Sequence, residues 1–193
     1  LANVSLAQEP GEPNVLVIYT DDHRYTGVHA WEGSKFSIHT PHVDQLASEG
    51  IRYEAGFTTS PVCSTSHSAM MTGYQNYIGA HQHHATNMNL IPHGIRPIPH
   101  LLADAGYFTC IMSRKTDCNC LPDKRDELFT GKDWSERSQA AFFARITFGG
   151  THRKWNRDPE RPIDIKDVDR TPYYPDTAFI RRDWANGLEQ MQL

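Results

Sequence analysis

Three apolar runs punctuate the chain: Asn14–Tyr19, Tyr107–Met112 and Ala141–Phe148. Continuous runs of this length, rich in Val, Ile and Phe, read as strands buried in an α/β sheet. Between them lie two helical stretches. Cys63-Ser64-Thr65-Ser66-His67-Ser68 leads into Ala69-Met70-Met71 and stops at Gly73. Ile98 to Ala105 stops at Gly106, a common helix terminator. The pattern predicts an α/β fold, a mixed sheet flanked by helices. Asn14–Tyr19 is expected as a central strand, with a helix starting near Cys63.

The run ends carry candidate chemistry. Thr20-Asp21-Asp22-His23 follows the first strand. Ligands of open α/β sheets gather at the carboxyl ends of strands. Adjacent carboxylates there repel unless a cation or hydrogen bonds compensate, and such oxygens suit calcium or magnesium. The alternative is an Asx turn with solvated acids. Cys63 falls at the first turn of its helix, where backbone N–H groups and the helix dipole favour an anion or a thiolate. The alternative there is an ordinary buried cysteine.

In order, the segments are the strand, Asp21-Asp22, Thr40-Pro41-His42-Val43-Asp44-Gln45-Leu46-Ala47-Ser48-Glu49-Gly50, Ile51-Arg52-Tyr53, Phe57-Thr58-Thr59-Ser60-Pro61-Val62-Cys63 and Met71-Thr72-Gly73. This series resembles the N-terminal part of the sulfatase family, in the alkaline-phosphatase-like superfamily. The flavour is that of bacterial heparan or N-sulfoglucosamine sulfohydrolase-like members. The resemblance runs from Pro13 to near the C-terminus.

It implies that Asp21, Asp22 and Cys63 hold a divalent cation, calcium, and converge at one sheet edge. It implies that Cys63 is oxidised to formylglycine, the nucleophile. Lys115 in Ser113-Arg114-Lys115-Thr116-Asp117 takes the place of the sulfate-contacting lysine, and Asp117 stands where many members carry His. His152 in Gly149-Gly150-Thr151-His152 matches the histidine that meets the sulfate or the leaving atom. His83 and His84, within His81-Gln82-His83-His84, match a His-rich stretch beside the sugar. Tyr173-Tyr174-Pro175-Asp176-Thr177 matches a turn before a helix.

Two positions depart from the family core: Thr65 replaces Pro and His67 replaces Arg. Histidine supplies a positive charge only when protonated, whereas arginine always does. Cys63 is therefore expected to stay largely a thiol, and Thr65→Pro with His67→Arg to raise both modification and turnover. The family's later Asp-Asn or Asp-His pair, which completes the metal site, has no counterpart here. Residues 13–193 are thus expected to be the N-terminal part of a catalytic domain.

Composition narrows the partners. The 193 residues carry a formal net charge of −4, which argues against general nucleic-acid binding. No apolar run reaches membrane-spanning length. Residues 1–12 read as a signal-peptide remnant or disordered N-terminus, with Ser5 and Ala7 as small residues of a cleavage site, and hence a periplasmic or secreted protein. Arg153-Lys154 and Arg181-Arg182 read as solvated faces, and Asp158 to Asp176 as a surface excursion. Cys110 reads as a buried strand thiol. Cys118 and Cys120 are too close for the usual zinc or thioredoxin spacing. Oligomeric state is open.

Three functions compete. One is hydrolysis of a sulfuric ester or N-sulfate on a sulfated sugar or aryl sulfate. The second is a phosphate or phosphonate ester hydrolase on the same scaffold. The third is an inactive sulfatase-like fragment that binds sulfated glycans.

Overall fold

The strands are Val15–Thr20 (β1), Phe108–Ile111 (β2) and Phe142–Phe148 (β3), all within the three apolar runs. They belong to a computed structural model that describes residues 11–24, 27–28, 30, 38–74, 94–112, 128–137, 141–169 and 172–192. The helices among these residues are Pro41–Glu49 (α1), Cys63–Thr72 (α2), Ile98–Asp104 (α3) and Ala178–Glu189 (α4). The chain divides into two compact units, Leu1–Tyr19 with Phe57–Thr147 and Thr20–Gly56 with Phe148–Leu193.

The first unit is built on the sheet, whose strand order is β1-β3-β2. β2 and β3 run parallel, with Phe108 opposite Phe142 and Ile111 opposite Arg145. β3 is therefore the middle strand, and its first four residues are buried. β1 lies at an edge of the described sheet, with Leu16 and Ile18 44% and 50% exposed. Among the described residues Asn14–Tyr19 has β3 as its one strand neighbour, where the sequence reading expected a central strand. An apolar run reports what its side chains bury against; it does not report how many neighbours the backbone has. Met71, Leu128, Phe129 and Phe143 form the core of this unit, flanked by Val15, Val17, Leu102, Tyr107 and Ile111. Phe129 and Phe143 stack with ring centroids 6.4 Å apart.

α2 starts without a side-chain cap, after an extended Val62, and ends at Gly73 with φ 73°. That left-handed position suits glycine. The Gly73 amide donates to Ala69 O at 2.8 Å. The buried face of α2 is mostly polar: Ser64, Thr65, His67 and Ser68 join Ala69 and Met71. The hydroxyls satisfy themselves locally. Ser68 Oγ donates to Ser64 O at 2.7 Å, and Thr65 Oγ1 to Val62 O at 2.9 Å. Burying so many polar groups gains little hydrophobic free energy, and such violations of pattern concentrate at functional positions.

The second unit packs α4 over an irregular chain. Ile38, Ile163, Val168, Ala185, Leu188 and Met191 make its core, with Ile165 and Trp184 beside them. The Thr177 hydroxyl caps α4, accepting from the Ile180 amide at 3.3 Å. α1 is held at its start by Asp44, whose Oδ1 accepts from Thr40 Oγ1 at 3.0 Å and from the Ala30 amide at 2.9 Å.

Two expectations are corrected in this unit. The Asp158–Asp176 span is no loose excursion, because Ile163 and Val168 are core residues and the Glu189 carboxylate accepts from the Asp158 and Ile163 amides at 2.7 and 2.9 Å. Arg153 and Lys154 are exposed, as expected, whereas Arg181 and Arg182 are half-buried. Arg181 binds Asp176 through two nitrogens and donates to Val168 O at 3.1 Å. Arg153 pairs with Asp183 and lies 4.5 Å from the Trp155 ring centroid. Planar guanidinium groups bridge carbonyls and stack on rings in a way that charge counting along a sequence does not reveal.

Candidate functional site

The chain leaves β1 through a tight turn. Asp21 is 2% exposed; its amide donates to Phe148 O at 3.0 Å, and its carbonyl accepts from the Thr151 hydroxyl. Asp22 follows at φ 57°. This left-handed conformation is one that Asp tolerates better than bulkier residues. The turn leaves one carboxylate buried and the next at the surface.

His152 comes to the same place from the loop after β3. Oxygens of Asp21 and Asp22 and a ring nitrogen of His152 lie within 4.8 Å of one another. His152 Nδ1 is 2.5 Å from Arg153 O. A carbonyl only accepts, so Nδ1 carries a proton. In the neutral ring, Nε2 then presents a lone pair, 3.7 Å from Asp22 Oδ2. That is too long for a hydrogen bond. Two acceptors facing each other beside a second carboxylate are a donor set that fits a cation. Trp155 braces this loop, its Nε1 donating to Thr151 O at 2.8 Å. The Arg24 guanidinium lies 4.1 Å from the Trp184 ring centroid and 5.6 Å from that of Trp155. Burial holds the Arg24 pKa below the usual arginine value, opposed by the nearby Tyr174.

In the first unit, Cys63 is the first residue of α2 and is partly buried, as the sequence predicts. Thr65, where the family core has Pro, is 2% exposed. Its hydroxyl bonds to Val62 O at 2.9 Å and Ser60 Oγ at 3.0 Å. It thereby restrains the turn before the helix by hydrogen bonding. His67 is fully buried, and its Nδ1 is 2.7 Å from Arg145 Nη2. Its ring meets Tyr19 edge-on, with centroids 4.2 Å apart at 87°.

Arg145 is the residue that the motif reading missed. Its signal is in the sequence: an arginine at the middle of Phe142-Phe143-Ala144-Arg145-Ile146-Thr147-Phe148, inside a strand that is otherwise apolar. Thr151, which ties the Asp21 carbonyl to the His152 loop, was also missed. Lys115, Asp117, His83 and His84 lie outside the described residues, as do Cys118 and Cys120. Cys110 is a fully buried thiol. Desolvation, followed by the charges of Asp133 and Glu136, pushes its pKa up to about 11.

A sulfatase family model matches residues 13–176. The chain belongs to the sulfatase family. An ulvan-active sulfatase from Formosa agariphila is 31% identical over 92% of this chain and 30% of its own length. An N-acetylglucosamine-6-O-sulfatase from Bacteroides thetaiotaomicron is 28% identical over 59% of this chain and 21% of its own length. This sulfatase-family chain thus spans less than a third of the length of either curated relative. A solved sulfatase in complex with its substrate D-glucosamine-2-N,6-O-disulfate superposes with TM-score 0.59 at 19% identity, covering 77% of this chain and 36% of that one. The likeness establishes the fold: the helix-flanked sheet described above is part of a sulfatase, alkaline-phosphatase-like architecture. Among the described residues no helix is long and apolar enough to cross a membrane.

Proposed function

We propose that the protein hydrolyses sulfuric esters, or N-sulfates, of a sulfated sugar or aryl sulfate. The observation that carries the reading is the gathering of Asp21, Asp22 and His152 at the end of β1. A cation held between these side chains would offset the repulsion of the adjacent carboxylates. Asp21 and Asp22 are the oxygen ligands for a divalent cation, calcium by family resemblance. When bound, such an ion supplies Lewis-acid neutralisation of sulfate oxygens.

The remaining work falls to the chain. Cys63 at the start of α2 occupies the nucleophile position, as a metal-ligating formylglycine after oxidation. The N–H groups of the first helical turn favour the anionic ester there. Lys115 neutralises sulfate charge, and His67 stands at the family's arginine position on α2. His152 meets the sulfate or the leaving atom, with its Nδ1–H turned away to Arg153 O. His83, His84 and Asp117 line the sugar. Thr65 and His67 stand at the two altered core positions, so conversion of Cys63 in the native sequence is expected to be partial and turnover low.

Residues 13–193 are read as the front part of the catalytic domain of a secreted or periplasmic enzyme. A phosphate or phosphonate hydrolase is the second reading, since phosphate esters meet the same charges. The test is turnover of para-nitrophenyl sulfate against para-nitrophenyl phosphate by the complete protein, with mass spectrometry of the peptide containing Cys63. Sulfate turnover above phosphate turnover, with some aldehyde at position 63 and loss of activity in Asp22→Ala, is the expected result. A preference for phosphate, or no turnover with Cys63 wholly thiol, would overturn it.

A further inference from the structure

Thr151 is a buried residue in an exposed loop. It is 0% exposed, whereas Phe148, Gly149, Gly150, Arg153 and Lys154 around it are exposed. Packing gives little hold on the approach to it, since a Cβ added at Gly149 or Gly150 would meet nothing within 4 Å. Hydrogen bonds that converge on Thr151 and Asp21 hold the loop instead.

Those bonds form a short chain. The Asp21 amide donates to Phe148 O at 3.0 Å, and the Asp21 carbonyl accepts from the Thr151 hydroxyl. The peptide groups on both sides of Asp21 are therefore tied to the segment after β3. The Thr151 carbonyl accepts from Trp155 Nε1 at 2.8 Å. Trp155 in turn lies against α4, where a Cβ added at Gly187 would stand 2.9 Å from its Cε3. The guanidinium carbons of Arg24 and Arg153 lie 5.6 and 4.5 Å from its ring centroid. All of these residues belong to the second unit.

Thr151 directly precedes His152, and Asp21 directly precedes Asp22. The Thr151–Asp21 bond thus joins the two stretches of backbone that carry the donor set of Asp21, Asp22 and His152. Asp22 follows at φ 57°, a conformation that persists where its surroundings hold it. We infer that Thr151 is a positioning residue: its hydroxyl staples the Asp21 peptide to the His152 loop and so sets the spacing of the two carboxylates and the imidazole, with Trp155 holding the loop from behind. That this donor set receives a divalent cation and a sulfate ester rests on the function proposed above.

Two substitutions separate the staple from simple space-filling. Thr151→Val keeps the shape of the side chain and loses the hydroxyl donor. Thr151→Ser keeps the donor and loses a methyl group. A staple is broken by Val and kept by Ser; a packing role has the opposite order.

The test is calorimetric titration of calcium into the complete protein after its metal has been removed with a chelator. Thr151→Val should bind calcium roughly 10- to 100-fold more weakly than the native protein, the usual cost of losing a group that orients metal ligands. Thr151→Ser should bind close to the native value. Trp155→Phe, which keeps a ring and loses the indole donor, should fall between them. Each titration is run below the metal-free melting transition of that variant, so a general loss of stability does not move the affinity. At saturating calcium, kcat on para-nitrophenyl sulfate should also fall in Thr151→Val and recover in Thr151→Ser, because His152 moves with the loop.

Calcium binding by Thr151→Val within about threefold of native, well short of that usual cost, overturns the staple. So does a Thr151→Ser variant that binds as weakly as Thr151→Val. Should Thr151→Val fail to fold, Trp155→Phe decides, and native affinity there overturns the chain of bonds. A native protein that binds no calcium sinks the metal reading, and the positioning role with it. Native binding that is lost in Asp22→Ala and unchanged in Thr151→Val sinks the staple alone.

Discussion

Glu189 offers the sharpest test of how the second unit holds its irregular chain. It sits at the last residue of α4, where the helix dipole disfavours a negative charge. It is nevertheless 1% exposed. Its reason for being there is geometric: one oxygen accepts from the Asp158 amide at 2.7 Å and the other from the Ile163 amide at 2.9 Å. Glu189→Gln keeps one acceptor oxygen and turns an NH₂ group toward the other amide. Hydrogen bonds to a charged group are worth about 1.5–3 kcal/mol, and a stranded buried N–H adds to the loss, so about 3 kcal/mol is expected for Gln. Glu189→Ala strands both amides and should cost at least as much. With a urea m-value of about 2 kcal/mol/M, the Gln variant's midpoint should fall by about 1.5 M at unchanged m. The assay is urea unfolding followed by tryptophan fluorescence, with hydrogen exchange at the Asp158 and Ile163 amides as the local readout. A midpoint shift under about 0.3 M, or no faster exchange at either amide, would refute the reasoning.

Other outcomes follow from the same packing and hydrogen bonding. Gly187→Ala should lower the melting temperature despite the usual helical gain of about 1 kcal/mol for Ala over Gly, because an added Cβ would lie 2.9 Å from Trp155 Cε3, and overpacking costs about 1–3 kcal/mol; a higher melting temperature would contradict this. Near pH ~8, a thiol reagent should label Cys63, which is partly buried, well before the fully buried Cys110; equal rates by mass spectrometry would count against the buried strand. Because the Cys110 pKa is raised in the folded state, its contribution to stability should be complete below the ordinary thiol value and decline as pH rises toward about 11; a Cys110→Ser variant with the same alkaline denaturation curve would deny it. Asp22→Ala should abolish calcium-dependent thermal stabilisation of the complete protein, and an unchanged calcium response would show that the pair is structural.

Much of the architecture could be read from residue order alone, for reasons that differ between elements. The ends of α2 follow from local chemistry. Pro61 precedes the start, and Gly73 takes the left-handed conformation that ends a helix. β2 and β3 follow from apolar runs flanked by polar residues. Asp21 and Asp22 were legible as a candidate site because a strand end is where an α/β sheet presents ligands.

What the sequence could not decide depends on partners distant along the chain. The place of β1 beside β3, among the described strands, is set by which strands pair, a property that its own side chains do not carry. The contact of His67 with Arg145 joins residues 78 apart. The joining of His152 to the aspartates depends on the loop that Thr151 and Trp155 brace. The apparent excursion after Asp158 is anchored by Glu189, 31 residues later. Local propensity fixes where an element starts and stops, because the relevant hydrogen bonds close within a few residues. Buried side-chain pairs, strand neighbours and loop anchoring come from groups that meet only once the chain has folded, and for these the tertiary structure had the deciding role.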